Sequence, residues 1–273
     1  MIRLLKYEDN NTVLEYLNKD PLFNLFMISD VESFGYDSEF QKVWGEYEDD
    51  SLVAILLYYR KSFVYYSELV RKVEPFVEVI KQHEFNYING NKEIVESFMF
   101  YFPSLKVKDM NYALLDSFNL KMNDDVDILQ INTYKEYCEH WDLLNTIEDF
   151  MGEDIKDRDS YARHSEELTI NGSKRTYCVN IKGKMISVAS TVAENNDNAM
   201  VISVATLKEY RKMGYSTAIM KRLCDDFINE KRKSLCLFYD NLEAGKMYRR
   251  LGFKDIGTFR LYKKVNSKQI KDN

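Results

Sequence analysis

The residues best fitted by type and spacing to do chemistry lie in two short segments of the C-terminal half. The first, Ile202–Ser216, reads Ile-Ser-Val-Ala-Thr-Leu-Lys-Glu-Tyr-Arg-Lys-Met-Gly-Tyr-Ser. An apolar, strand-like run gives way to a polar loop carrying Arg211, Gly214 and Ser216, and a helical stretch follows. A glycine lets the backbone turn tightly and approach a ligand closely. The helix behind it offers unpaired N–H groups and the positive end of its dipole. Arg211 and Lys212 add charge, so the loop suits a phosphate. Taken alone, one glycine is a weak signal, and an ordinary strand-to-helix turn with solvated basic residues accounts for it.

The second segment, Asn241-Leu-Glu-Ala-Gly-Lys-Met-Tyr-Arg-Arg-Leu-Gly-Phe253, sets Asn241, Ala244, Tyr248, Gly252 and Phe253 at fixed offsets. The Asn241 amide can bond a ligand or cap the next helix. Ala244 and Tyr248 stand one turn apart on one helical face. Gly252 ends the helix, and Phe253 returns to the core. Together the two segments resemble the acyl-CoA-binding core of the GNAT N-acetyltransferase superfamily. The family's phosphate loop, Arg/Gln-x-x-Gly-x-Gly/Ala, matches Arg211-x-x-Gly214-x-Ser216, with Ser216 as the departure. The later pattern, Asn-x-x-Ala-x-x-x-Tyr-x-x-x-Gly-Phe, matches Asn241 through Phe253 without a gap. Each motif is loose by itself; both in this order are specific.

The resemblance implies a role for each matching residue. Val204 and Thr206 would bond the pantetheine arm through their backbone, in a V-shaped slot between the strand ending at Thr206 and the strand Leu235–Tyr239. The Val204 N–H would polarise the thioester carbonyl. The N–H groups of Arg211, Lys212, Met213, Gly214, Tyr215, Ser216 and Thr217 would cradle the pyrophosphate of CoA, with Asn241 beside the cofactor. Tyr248 looks like the family's general acid for the departing thiolate; its structural alternative is a core tyrosine. Family members often carry a Glu on the strand that here spans Ala199–Thr206, where Ser203 stands instead. The candidates for a base are Glu148, Asp149, Glu153 and Glu194, each more readily a solvated carboxylate than a base. A water relayed by Ser203 would also serve.

Elements that could position these residues follow in a regular order. After a polar boundary at Ser117–Asp125 come a strand at Val126–Ile131 and helices at Tyr134–Phe150 and Ser160–Thr169. Strands at Arg175–Ile181, Met185–Ala193 and Ala199–Thr206 are joined by turns, then a helix spans Ser216–Lys231. A strand at Leu235–Tyr239, a helix at Glu243–Leu251 and a strand at Gly257–Lys263 close the series. The N-terminal half repeats this order weakly, from Arg3–Leu5 to Asn111–Leu115, but Ser67–Pro75 stands where the phosphate loop would be. The reading is two domains, 1–120 and 121–273: a degenerate GNAT-like unit followed by the acyl-CoA-binding one. Each would have a mixed α/β fold, with a central, mostly antiparallel sheet flanked by helices.

The 273 residues exceed the roughly 100–200 of one average domain. Residues 1–120 carry 12 Lys and Arg against 20 Asp and Glu, so an anionic cofactor finds the better host downstream. The net charge of −6, with no basic stripe, argues against a nucleic-acid partner. The four cysteines show no CxxC spacing and no neighbouring histidine, so no metal is expected. His83, His140 and His164 have no spacing for a metal or triad, and Lys231-Arg232-Lys233 reads as a helix-end cation run. With no signal-peptide core and no run of roughly 18 apolar residues, no membrane partner is expected and the default location is the cytoplasm. The activity expected is N-acetylation by acetyl-CoA of a small-molecule or peptide amine, in a monomer or homodimer. A non-catalytic acyl-CoA-binding module is the alternative.

Overall fold

Residues 1–121, 126–147 and 157–264 are described by a computed structural model. They divide into two compact units, Met1–Tyr112 with the segment that begins at Ile256, and Ala113–Asp255. The first unit opens with β1 (Ile2–Leu4), α1 (Asn10–Leu17) and α2 (Leu25–Phe34). Three antiparallel strands follow, β2 (Gln41–Glu48), β3 (Ser51–Tyr59) and β4 (Ser62–Ser67). Asp49-Asp50 and Arg60-Lys61 form the two hairpin turns, all four residues at positive φ, as the tight turn that matches strand twist requires. Next come α3 (Glu74–Lys81), β5 (Tyr87–Asn91), α4 (Lys92–Val95) with a 3-10 turn behind it, and β6 (Lys106–Leu115), whose end lies in the second unit. β4 and β5 pair in parallel from Ser62/Tyr87 to Val64/Asn89. Phe63, Tyr65, Phe76, Ile88 and Phe98 fill the core between this sheet and α3.

The second unit has the same order. β7 (Leu129–Ile131), α5 (Tyr134–Leu144) and α6 (Arg158–Ile170) precede β8 (Arg175–Ile181), β9 (Lys184–Val192) and β10 (Asn198–Thr206). α7 (Tyr215–Cys224), β11 (Ser234–Tyr239) and α8 (Leu242–Leu251) complete it. β7 to β10 are antiparallel neighbours, and β11 joins β10 in parallel. Local chemistry sets the helix ends. Thr133 and Glu136 form a reciprocal capping box on α5, Asp157 caps α6, and Gly252, at φ +106, ends α8. The expected helix Ser216–Lys231 stops at Cys224 and widens into a π turn over Asp225–Glu230. There the buried Asp226 carboxylate accepts hydrogen bonds from Tyr177 and from Arg222, the latter at 2.8 Å. His83 packs on Trp44, Tyr58 and Phe63, and His140 on Tyr137 and Tyr161, so both are packing residues. All four cysteines are buried thiols outside any disulfide. Among the described residues no helix is long and apolar enough to cross a membrane.

One strand departs from the expected contiguous division at residue 120. β12 (Lys254–Lys263) starts in the second unit, but from Ile256 it belongs to the first. Its Phe259–Lys263 pairs antiparallel with Asn91–Tyr87 of β5. Pairing decides the matter: a strand finds its place by backbone hydrogen bonds and cross-strand side chains, not by distance along the chain. Buried Arg260 anchors the strand, donating to Asp109 at 2.6 and 2.8 Å and to Glu96 at 3.0 Å. This guanidinium holds the Asp109 carboxyl down at about 2, so the ion pair contributes stability above the unfolded value near 4 and loses it as pH falls toward 2. Arg260→Met is therefore expected to destabilise the first unit by about 1–2 kcal/mol at pH 7, a figure discounted for the partly exposed Asp109. Urea titrations should show that penalty shrinking between pH 4 and 2; a penalty independent of pH would rule out this origin.

Candidate functional site

The site is built on a strand that leaves its neighbours. β10 pairs with β11 from Asn198/Ser234 to Val201/Leu237. Both strands run on, to Thr206 and Tyr239, yet among the described residues the ladder goes no further. On the other side, the β9 register slips between Ile202 and Ala205: Ile202 faces Ser190, and Ala205 faces Val188. Three steps on β10 thus oppose two on β9, which is a β-bulge. Ser203 takes up the extra residue at φ +54. Ile202 to Val204 are half-exposed, between buried residues on either side. The bulge and the slot place the Ser203 and Val204 peptide groups outside both ladders.

The loop beyond Thr206 is shaped for an anion. Lys208–Tyr210 makes one 3-10 turn, and the Arg211 Nε then donates back to the Thr206 carbonyl at 3.1 Å. Lys212 (φ +65) and Gly214 (φ +91) both adopt left-handed backbone, the alternation that turns successive N–H groups toward one concavity. Gly214 caps α7, no side chain caps that helix, and its first turn holds no acid. A methyl group at Gly214 would meet nothing within 4 Å, so the space over the loop is open. Arg211 to Gly214 are exposed, and Tyr215 to Thr217 half-exposed. The first unit lacks these features at the matching place. Gly90 lies so close to β4 that an added Cβ would sit 2.6 Å from the Tyr65 carbonyl oxygen. No residue of 68–73 has a positive φ, and α3 opens with Glu74 and Pro75. An acid and a missing N–H both disfavour an anion there.

Tyr248 lies on α8, buried to 6% exposure, with its ring against Tyr239 and Phe253 at 5.6 and 5.9 Å. Its hydroxyl bonds to no other described residue, and burial alone raises its pKa. The phenol therefore stays protonated, as a proton donor must. Gly245 lets α8 approach: a Cβ there would stand 2.4 Å from the Tyr239 ring. Tyr239 is held in turn by Asp255 at 2.6 Å and Arg249 at 2.7 Å. Asn241 spends its side-chain oxygen capping α8, accepting from Glu243 and Ala244 N–H. That leaves its exposed NH₂ as the group free of the cap.

Glu194, one of the base candidates, is closed in by Arg175 at 3.3 Å, Lys231 at 2.5 Å and Lys233 at 2.9 Å. Burial would raise its pKa, but the lysine hydrogen bonds prevail and lower it. A carboxylate held ionised by three cations is a structural hub, and it explains Lys231 and Lys233 as more than a solvated run. Glu148, Asp149 and Glu153 lie outside the described residues. No sequence pattern marks Ser187, whose hydroxyl meets Thr206, or Tyr239 as the support for Tyr248. Ser203→Val should destabilise the protein by about 1–2 kcal/mol, because a β-branched residue fits left-handed backbone poorly, whereas Ser203→Gly should not. Denaturant midpoints at equal m-value test this; equal loss in both would mean that the Ser203 side chain, not its backbone, matters.

The fold has counterparts among known proteins. Residues 138–253 match the model of the acetyltransferase (GNAT) family. A solved tandem GNAT protein from the clavulanic acid biosynthesis pathway, without AcCoA, is 14% identical, with 98% of this chain and 99% of that one covered and a TM-score of 0.61. A GCN5-related N-acetyltransferase from Sphaerobacter thermophilus is 10% identical over 96% of this chain and 94% of its own, at TM-score 0.66. A Drosophila protein is 11% identical over 97% and 98%, at TM-score 0.68. Identities this low carry the fold alone: two tandem GNAT-like units of mixed α/β structure, each with a mostly antiparallel sheet flanked by helices. No curated protein matches the chain in sequence.

Proposed function

We propose that the GNAT domain at residues 138–253 is an acyl-CoA-dependent N-acyltransferase, moving acetyl from acetyl-CoA to a primary amine by direct attack in a ternary complex. The observation that carries this reading is the bulged strand β10 leaving β11, followed by an uncapped, acid-free helix start with open space over Gly214. These residues fit a thioester on a phosphate-bearing arm. The N–H groups from Lys212 to Thr217 and the Arg211 guanidinium hold the phosphates, while Val204 and Thr206 offer backbone groups to the arm. Acetyl-CoA supplies an electrophilic carbonyl and a thiolate leaving group.

Val204 N–H stabilises the charge that develops on the carbonyl oxygen as the neutral amine adds to carbon. As the C–S bond breaks, the Tyr248 hydroxyl gives its proton to sulfur and regains one from solvent. The proton lost by the new amide nitrogen leaves through water beside Ser203. The acceptor is a small-molecule or peptide amine. Four thiols outside any disulfide suit the cytoplasm, where they stay reduced.

A second reading, an acyl-CoA-binding module without turnover, is favoured by one observation: β10 carries no carboxylate, and Glu194 is occupied by cations. Thiol release from acetyl-CoA with a panel of amines separates the two, since tight CoA binding without turnover on any amine selects the module. For the enzyme, Tyr248→Phe should lower turnover by roughly 10²-fold while CoA affinity stays within about threefold. A variant as active as the parent would remove the acid role.

A further inference from the structure

Thr206 ends β10, and both its polar groups turn onto the loop that follows. Its carbonyl accepts Arg211 Nε at 3.1 Å, and its hydroxyl lies 2.5 Å from Ser216 Oγ and 2.7 Å from Ser187 Oγ. Ser187 Oγ is also 3.1 Å from the Ala205 carbonyl. Each hydroxyl owns one proton, and a carbonyl can only accept. Ser187 therefore donates to Ala205, which obliges it to accept from Thr206, and Thr206 in turn to accept from Ser216. The direction of the chain is forced, and it runs through groups shielded from water: Ser187 is fully buried and Thr206 is 8% exposed. The two ends of the loop, Arg211 and Ser216, thus close on one residue.

We infer that Thr206 is the positioning residue of the phosphate loop, clamping Arg211 through its carbonyl and the first turn of α7 through its hydroxyl. The inference deepens the function proposed above and rests on it for the identity of the anion. It assigns the Ser216 side chain a task. The hydroxyl that replaces the expected Gly or Ala spends its proton inside the protein and donates nothing to phosphate. The anion is left to the backbone N–H groups and to the two terminal nitrogens of Arg211. A phosphate-free arm, by contrast, depends little on the clamp.

Three measurements on the full chain test this. Hydrogen exchange over residues 207–217 reads the clamp with no ligand: Thr206→Val should exchange faster there, and Thr206→Ser, which keeps the hydroxyl, should match the parent. Titration calorimetry should show CoA bound about tenfold more weakly by Thr206→Val, with a much smaller loss for pantetheine, which has no phosphate. Ser216→Ala should weaken CoA similarly, and the double variant no further, because both remove the same link. If Thr206→Val fails to fold, Ser216→Ala, on a half-exposed side chain, carries the same comparison. Unchanged exchange, equal loss of CoA and pantetheine, or additive losses would each overturn the inference. A parent chain that binds no CoA would overturn the function proposed above, and hydrogen exchange would still decide the clamp.

Discussion

Two parallel strands that stop bonding to each other while both continue are the constraint on which the second unit depends. Backbone N–H and C=O groups left without partners need water or a ligand, so the end of the β10–β11 ladder at Val201/Leu237 commits the next residues of β10 to solvent or to something that replaces it. The bulge at Ser203 serves the same end from the other side, by lifting one peptide out of the β9 ladder. The strand then delivers the chain to a left-handed loop and a helix whose first turn holds no acid. Slot, bulge and cradle are three parts of one departure from regular pairing.

The apolar framework holds that departure open. Tyr239, at the end of β11, and Tyr248 meet edge to face, and α8 comes close enough for this only because position 245 has no side chain. The first unit has the same order of elements, and its β4–β5 ladder likewise ends at Val64/Asn89 before either strand does, but there the space is taken up. Gly90 presses against the Tyr65 carbonyl, and Glu74 and Pro75 occupy the start of the helix that would face a phosphate. One architecture is thus kept in both units, while only one of them keeps groups suited to an anionic cofactor.

Much of this was legible in the sequence where local chemistry decides. The turn at Lys182-Gly183-Lys184 helped to place β8 at Arg175–Ile181, as observed, and the glycines at 214 and 252 marked left-handed positions because other residues are strained there. Residues 202–206 read as strand and are strand, but a bulge depends on the register of a partner, so a non-glycine at φ +54 left no trace. The hydroxyl chain through Ser187 joins residues nearly 30 positions apart and has no pattern to find. Glu194 looked like any surface acid because its three cations come from β8 and from the segment before β11. The last strand was identified as a strand, while its pairing with β5 lay beyond any local signal.

That last strand has a bearing on how the chain acquires its structure during synthesis. The second unit is continuous from Ala113 to Asp255 and is complete in sequence as soon as it has emerged. The first unit is made earlier but must wait for residues 256–263 before β5 gains this partner, through contacts of very high sequence separation. The first unit therefore cannot complete its sheet before the second has been made, as an N-terminal domain usually would. Until then an edge of β5 is unpaired and open to wrong partners for as long as the intervening residues take to be made.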